Sequence, residues 1–230
     1  MRYSISESLL SKRNYVFLIN TDNVSYPKAV LKKFSDINGF EAEKQAMQTL
    51  CKHNIAVPTM LLIEEQSIVY EHINGKLLVD YLDMLEQDKH SNEVFFIFDK
   101  LCQWLADCYT ALESEYGCEM VLGDAHLRNF IYSDNIYGID FECVKEGKKE
   151  EDIADLAVFT LVYSPMCTQQ KYKLAAQILE CCNRYMQLNA QLIDSEILHH
   201  IKTVEQRRGI SLPKNIAHNL SSVLYHRQEL

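Results

Sequence analysis

The sequence predicts an α+β protein of two unequal lobes, a small sheet-rich lobe over residues 1–73 and a larger, mainly helical lobe over residues 74–230. Three observations predict it. Short runs of alternating apolar residues crowd into the first 73 residues, and stripes of helical period dominate from Ser91 onward. Within the second part lies a group of Asp and Asn residues at telling intervals, Asp124, Asn129 and Asp140.

The elements follow in order. Tyr3 to Ile5 and Tyr15 to Ile19 read as strands joined by a polar turn, and Lys28 to Phe34 as a third. Gly39 to His53 is helical, with Pro58 marking its far limit, and Met60 to Ile63 with Ser67 to Ile73 form a hairpin around Glu64-Glu65-Gln66. Tyr70 to Gly75 reads as a strand that ends in a turn. Ser91 can cap a long helix whose apolar side includes Phe98, Leu101, Trp104, Leu105, Tyr109 and Leu112, ending before Gly117. Met120 to Leu122 is a short apolar approach, and Phe130 to Tyr132 and Ile136 to Ile139 form a hairpin over Ser133-Asp134-Asn135. Helices are then predicted over Ile153 to Tyr163, Thr168 to Leu188 and Asp194 to Arg208, the last stopped by Gly209, with a final one after Pro213.

Composition bounds the chemistry. The chain has 230 residues, 47% of them hydrophobic and 24% charged, which is ordinary for a folded globular protein. The N-terminus lacks the apolar core of a signal peptide, and no apolar run approaches the roughly 18 residues of a membrane span, so the expected location is the cytoplasm. The eight cysteines show no Cys-x-x-Cys pairing, so reduced thiols are expected rather than a zinc site or a disulfide framework. The adjacent His199 and His200 point about 100° apart on a helix and read as surface composition.

Net charge is −9, and its distribution is uneven. Residues 1–73 balance eight Lys/Arg against eight Asp/Glu, whereas Asp80 to Glu119 alone holds ten acids and two lysines. Nucleic acid, which calls for a basic face, is an unexpected partner. A cationic guest is the more natural one, because clustered carboxylates concentrate cations.

Asp124, Asn129 five residues on and Asp140 eleven further are spaced as a phosphoryl-transfer site requires. A carboxylate must orient the incoming hydroxyl and accept its proton, and Mg²⁺ takes oxygen ligands from carboxylates, amides and phosphates. Asp124 meets the first need, and Asn129 and Asp140 the second. Such a site also needs a lysine on the ATP phosphates and a glutamate to hold it. Glu43 shares a helical face with Met47 and Leu50 and so points inward. The lysine stays open on alternation alone, since Lys32 alternates with Val30 and Phe34, and Lys33 with Ala29 and Leu31. The turn Glu7 to Asn14 has no glycine and offers Ser8, Ser11 and Lys12 as side chains for a phosphate.

Gly-Asp-Ala-His-Leu-Arg-Asn-Phe, then Ile-Asp-Phe-Glu, then Asp-Ile-Ala-Asp-Leu-Ala (Asp152 to Ala157), resembles the aminoglycoside phosphotransferase and choline kinase group of kinase-like proteins. A weaker resemblance, carried by Gly-Asp-x-His-x-x-Asn-Phe, is to lipopolysaccharide core heptose kinases. The resemblance implies a bilobal protein-kinase-like fold, with residues 1–73 as the ATP-binding lobe and 74–230 as the catalytic and acceptor-binding lobe. It implies ATP and Mg²⁺ as cofactors, Asp124 as catalytic base, Asn129 and Asp140 as metal ligands, and Asp155 as a buried brace of the catalytic loop. Val-Leu-Lys favours Lys32 as the phosphate lysine held by Glu43, with Lys33 as the fallback. The hinge would bind adenine through the backbone of Glu71 and Ile73. In one departure, Leu122 stands where the family usually has His.

Only fifteen residues separate Asp140 from Asp155, too few for the activation segment that presents a peptide. The expected acceptor is therefore a small hydroxylated and cationic molecule, an aminoglycoside, amino sugar or amino alcohol. The alternatives are a lipopolysaccharide or other sugar kinase, a compact atypical protein kinase, and a catalytically dead scaffold.

Overall fold

Five strands, β1 (Tyr3–Leu9), β2 (Tyr15–Thr21), β3 (Lys28–Lys33), β4 (Met60–Glu64) and β5 (Ser67–Glu71), form one antiparallel sheet in the order β1-β2-β3-β5-β4. The structure is a computed structural model that describes residues 1–86, 91–213 and 215–225. Alternation along β3 divides its side chains between two faces. Ala29 and Leu31 join Ile19 and Val69 in a small cluster on one face. On the other face, Phe34, Ile68 and Tyr70 join Phe40, Met47 and Leu50 of helix α1 (Ile37–Lys52) in the main core. Lys32 lies on this inner face, while Lys33 is exposed on the outer one.

Helix α1 begins two residues earlier than the sequence predicts, because the Asp36 carboxylate accepts the Gly39 N–H and caps the first turn. Phe40, Glu43, Met47 and Leu50 then recur at helical spacing and are all buried.

The second lobe runs β6 (Lys76–Leu77), α2 (Asp80–Glu86), α3 (Ser91–Tyr116), β7 (Met120–Val121), a 3₁₀ turn (Leu127–Asn129), β8 (Phe130–Tyr132), β9 (Ile136–Gly138), β10 (Lys145–Glu146) and α4 (Lys149–Val162). Helices α5 (Gln169–Met186), α6 (Ala190–Arg208) and α7 (Ile216–Tyr225) complete it. The expected Ser91 cap lies outside the described side chains. Helix α4 starts at Lys149 rather than Ile153, since the Glu151 carboxylate turns back onto the Lys148 N–H. Helix α6 starts at Ala190 because Asn189 accepts the Leu192 N–H. Gly209, in a left-handed conformation at φ 63°, ends it where expected. All eight cysteines are free, four of them buried. No helix among the described residues is long and apolar enough to cross a membrane.

Trp104 of α3 is the post on which the two lobes and the loops between them rest. Its ring meets Phe130 edge-on at 5.5 Å and stacks on Phe141 at 6.4 Å between centroids. Phe130 directly follows Asn129 and Phe141 directly follows Asp140, so one side chain supports both candidate metal-binding residues from behind. The Trp104 indole N–H also donates to the Ala56 carbonyl at 2.9 Å, and the Gly138 N–H reaches the same oxygen at 3.3 Å. Ala56 belongs to the link between α1 and β4, so this carbonyl ties the first lobe to the second.

Gly138 has no room for a side chain. A Cβ there would lie 2.5 Å from two Trp104 ring carbons and 2.9 Å from the Phe141 ring. Gly138→Ala should therefore overpack the post and destabilise the protein by about 1–3 kcal/mol, lowering the melting midpoint by several degrees. An unchanged midpoint in a thermal melt would mean that the Trp104 ring is free to shift aside.

Candidate active site

The Lys32 ammonium is buried among carboxylates. It is 7% exposed, 2.5 Å from Glu43 Oε2, 2.6 Å from Asp140 Oδ1 and 3.6 Å from Glu142 Oε2. Burial works against its charge, but Glu43 and Asp140 outweigh that and hold its pKa above the ordinary lysine value. Glu43 is committed at both oxygens, since Oε1 accepts the Tyr70 hydroxyl at 2.5 Å. Its pKa is nevertheless pushed up by burial, against the pull of Lys32. The structure thus brings Lys32, Glu43 and Asp140 together across the lobes, and leaves Lys33 in solvent.

Gly123 approaches the catalytic loop in a left-handed conformation at φ 72°, with the Cys143 carbonyl 2.4 Å from where a Cβ would stand, so only glycine fits. Asp124 follows, with its side chain partly exposed and Oδ1 3.5 Å from His126 Nε2. Burial pushes the Asp124 carboxyl above the usual aspartate value, His126 and Arg13 pull it down, and Asp140 and Asp155 push it up. The His126 ring stacks on Phe159 at 5.4 Å, and its Nδ1 is buried without a partner among the described residues.

Asn129 donates its side-chain amide to the Asp124 carbonyl at 2.9 Å, which leaves the side-chain oxygen as its remaining acceptor. Its own carbonyl accepts the Ile139 N–H, fixing the β8–β9 hairpin against Asp140. Asp140 is a non-glycine residue at φ 66°, a strained conformation of the kind found where side-chain direction matters. Glu43, Asp140 and Glu142 each place an oxygen within 4.8 Å of the others. Glu43 is engaged by Lys32 and Tyr70, Asp140 by Lys32 through Oδ1, and Glu142 by Asn14 through Oε2. Sequence reasoning gave Glu142 no role; its place two residues after Asp140 was the available signal.

One expected residue is corrected. The brace of the catalytic loop is Asp152, and Asp155 is not buried. Asp152 accepts the Leu122 N–H at 2.6 Å, the Gly123 N–H at 3.0 Å and the Tyr109 hydroxyl at 2.9 Å. Asp155, nearly one turn along α4, is partly exposed and pairs with His200 Nδ1 at 3.3 Å. That contact also removes His200 from mere surface composition. Leu122 packs into the core through its side chain while its backbone takes the brace, so a histidine at this position is not needed to fix the loop.

At the hinge, the Glu71 N–H donates to the Thr59 carbonyl and the Glu71 carboxylate accepts the Thr59 N–H, while the Ile73 carbonyl accepts the Gly75 N–H. Four acids of the 80–119 segment are committed to partners other than the Lys32 group. Asp99 pairs with Arg184, Glu115 with Lys52 and Glu119 with Lys148, and Glu86 accepts the Thr168 hydroxyl. The carboxylates whose fields reach Asp124 are those of Asp140 and Asp155.

Comparison with known proteins gives the fold its context. No protein-family model and no curated protein matches the chain. Among solved structures, the chain is similar to amicoumacin kinase hAmiN in complex with AMP-PNP, Ca²⁺ and Ami. That match has a TM-score of 0.62 at 14% identity, over 99% of this chain and 88% of that one. It is similar as well to a choline kinase from Cryptosporidium parvum, with a TM-score of 0.51 at 12% identity, over 99% and 90%. The chain shares the fold of these two kinases, a sheet-rich part with a helical one.

Two predictions follow from the geometry. Lys32→Ala strands Glu43 in the interior without its cation and should cost about 3–5 kcal/mol in chemical denaturation, whereas the exposed Lys33→Ala should stay within about 0.5 kcal/mol. The reverse order would place the buried lysine one residue along. The second concerns Asp152, whose pKa burial raises to about 6 despite its three donors. The folded state then takes up this proton before the unfolded chain does, so between about pH 4 and 6 stability from this group rises as pH falls. The brace is weakened by the same proton. Any activity that depends on this loop should drop as pH falls through about 6 with no matching loss of melting temperature, and Asp152→Asn should be slow and flat across that range. A wild-type rate that falls only in step with unfolding would remove Asp152 from loop control.

Proposed function

We propose that the protein is an ATP- and Mg²⁺-dependent phosphotransferase that passes the γ-phosphoryl group to a hydroxyl of a small acceptor. The observation that carries this reading is the Lys32 ammonium held between Glu43 and Asp140, with Asn129 and Asp124 on the adjoining loop. In the proposed division of labour, residues 1–73 hold the nucleotide, with adenine on the backbone of Glu71 and Ile73 and the phosphates on Lys32. Residues 74–230 supply the chemistry. Asn129, Asp140 and Glu142 would hold Mg²⁺, which would supply positive charge to offset that of the phosphates. Asp124 orients the acceptor hydroxyl and takes its proton as the oxygen bonds to the γ-phosphorus. The bond from that phosphorus to the β–γ bridging oxygen breaks, and ADP leaves with the electron pair. The upward shift of the Asp124 carboxyl is in the direction that favours proton acceptance.

A small acceptor is supported by the short path from Asp140 to the start of α4 at Lys149, which leaves no activation segment to seat a peptide. The similar structures are kinases named for amicoumacin and choline. An amine-bearing acceptor fits the carboxylates of Asp124 and Asp155 and the net charge of −9. One observation favours a second reading, an acceptor with an anionic group such as a phosphorylated sugar. Arg128, four residues past Asp124, is exposed and stacks over Phe159 and Tyr163 at 5.6 and 6.0 Å, with no carboxylate partner among the described residues.

Titration of AMP-PNP by calorimetry should give binding that depends on Mg²⁺, and Asp124→Ala should keep that binding while abolishing turnover. Equal affinity with and without the metal would favour a scaffold. An ATP-consumption screen against aminoglycosides, choline, amino sugars, heptoses and a generic protein acceptor then assigns the acceptor. For an amine the KM should rise with salt while kcat changes less, and efficient turnover of a heptose or a protein alone would displace the amine reading.

A further inference from the structure

The turn between β1 and β2 has no glycine, so it lacks the residue that lets a backbone come close enough to donate its N–H groups to a phosphate. The turn is also tied down at its root. The Asn14 N–H donates to the Ser11 hydroxyl, and the Asn14 side chain accepts the Ser35 N–H and donates to Glu142 Oε2 at 2.5 Å. The Arg13 carbonyl accepts the Ser35 hydroxyl at 2.6 Å. With these groups spent on holding the turn against both lobes, what it can extend over the cleft is a side chain.

Arg13 is that side chain. Its Nη1 lies 3.8 Å from Glu142 Oε1 and 3.5 Å from Cys143 Sγ, yet the side chain remains 72% exposed. Glu142 faces Lys32 at 3.6 Å through its other oxygen, so two cations stand on either side of one carboxylate. The Arg13 contact is loose and single, far from the two-pronged pairing that a guanidinium makes with a committed acid, and most of its donors face open space. Charge points the same way. Glu43, Asp124, Asp140 and Glu142 outnumber Lys32 and Arg13, so a triphosphate approaching this cleft needs every cation within reach.

The geometry points to Arg13 as the phosphate-binding residue of this turn, its guanidinium closing on the terminal phosphoryl group of ATP from the side opposite Lys32 and replacing the backbone contacts of a glycine-rich loop. This assignment rests on the phosphotransferase reading and adds to it a second phosphate cation, contributed by a side chain. It also makes the terminal phosphate, more than the adenine, the part of the nucleotide that draws the turn down.

The test compares AMP-PNP, ADP and adenosine by calorimetry, each in saturating Mg²⁺, on the wild type and on Arg13→Gln and Arg13→Lys. Arg13→Gln should weaken AMP-PNP by roughly tenfold to a hundredfold, ADP by less than about threefold, and adenosine not at all. Arg13→Lys should recover part of the AMP-PNP affinity by restoring charge without the fork. Thermal melts of the variants check that the exposed substitution leaves the fold intact. Equal weakening of AMP-PNP and ADP, or no weakening, overturns the Arg13 assignment while leaving the nucleotide site standing. A wild type that binds none of the three overturns the phosphotransferase reading itself.

Discussion

A lysine ammonium taken out of water is unaffordable unless oxygens surround it, and that requirement at Lys32 organises much of this molecule. Its partners come from three directions. Glu43 arrives from α1, Asp140 from the end of the β8–β9 hairpin, and Tyr70 from β5 completes the shell by donating to Glu43. Sheet, helix and second lobe must therefore all be in register before the charge is satisfied. Buried ion pairs contribute little net stability, but they penalise alternatives strongly. Here the penalised alternative is any arrangement that lets Asp140 drift from the mouth of the cleft.

The second lobe answers with rigidity from behind. Trp104 supports Phe130 and Phe141, which directly follow Asn129 and Asp140 in sequence. Asp152 does the equivalent for the loop that carries Asp124, holding two consecutive backbone N–H groups and a tyrosine hydroxyl. Where polar groups must be held in direction as well as place, aromatic packing with saturated hydrogen bonding does this without using the polar atoms themselves.

Much of this was legible in the sequence where one residue's environment is set by its near neighbours. The alternating strands were legible because one face of each is buried, and Glu43 because it repeats with Met47 and Leu50 along one helix face. Lys32 and Lys33 could not be separated by alternation, since each shares its side of the strand with apolar residues and both faces of β3 are covered. Asp152 and Asp155 lie within one turn of α4, and only the position of the Leu122–Gly123 backbone decides which of them meets it. The seven-residue helix α2 is too short to display a period. The acidic run from Asp80 to Glu119 suggested a charged cleft because its partners, Lys52, Lys148 and Arg184, are distant in sequence and near only after folding.

The carbonyl of Ala56 carries a mechanical consequence. It is fastened to the second lobe by the Trp104 indole and the Gly138 amide, against packed rings that exclude water, whereas the opposite rim is closed by the polar contact of Asn14 with Glu142. Breaking the rim contact exchanges it for hydration at small net cost, while breaking the back one strands donors in an apolar setting. Any opening of the cleft would therefore pivot at Ala56, with the least displacement beside the rings and the greatest at the β1–β2 turn.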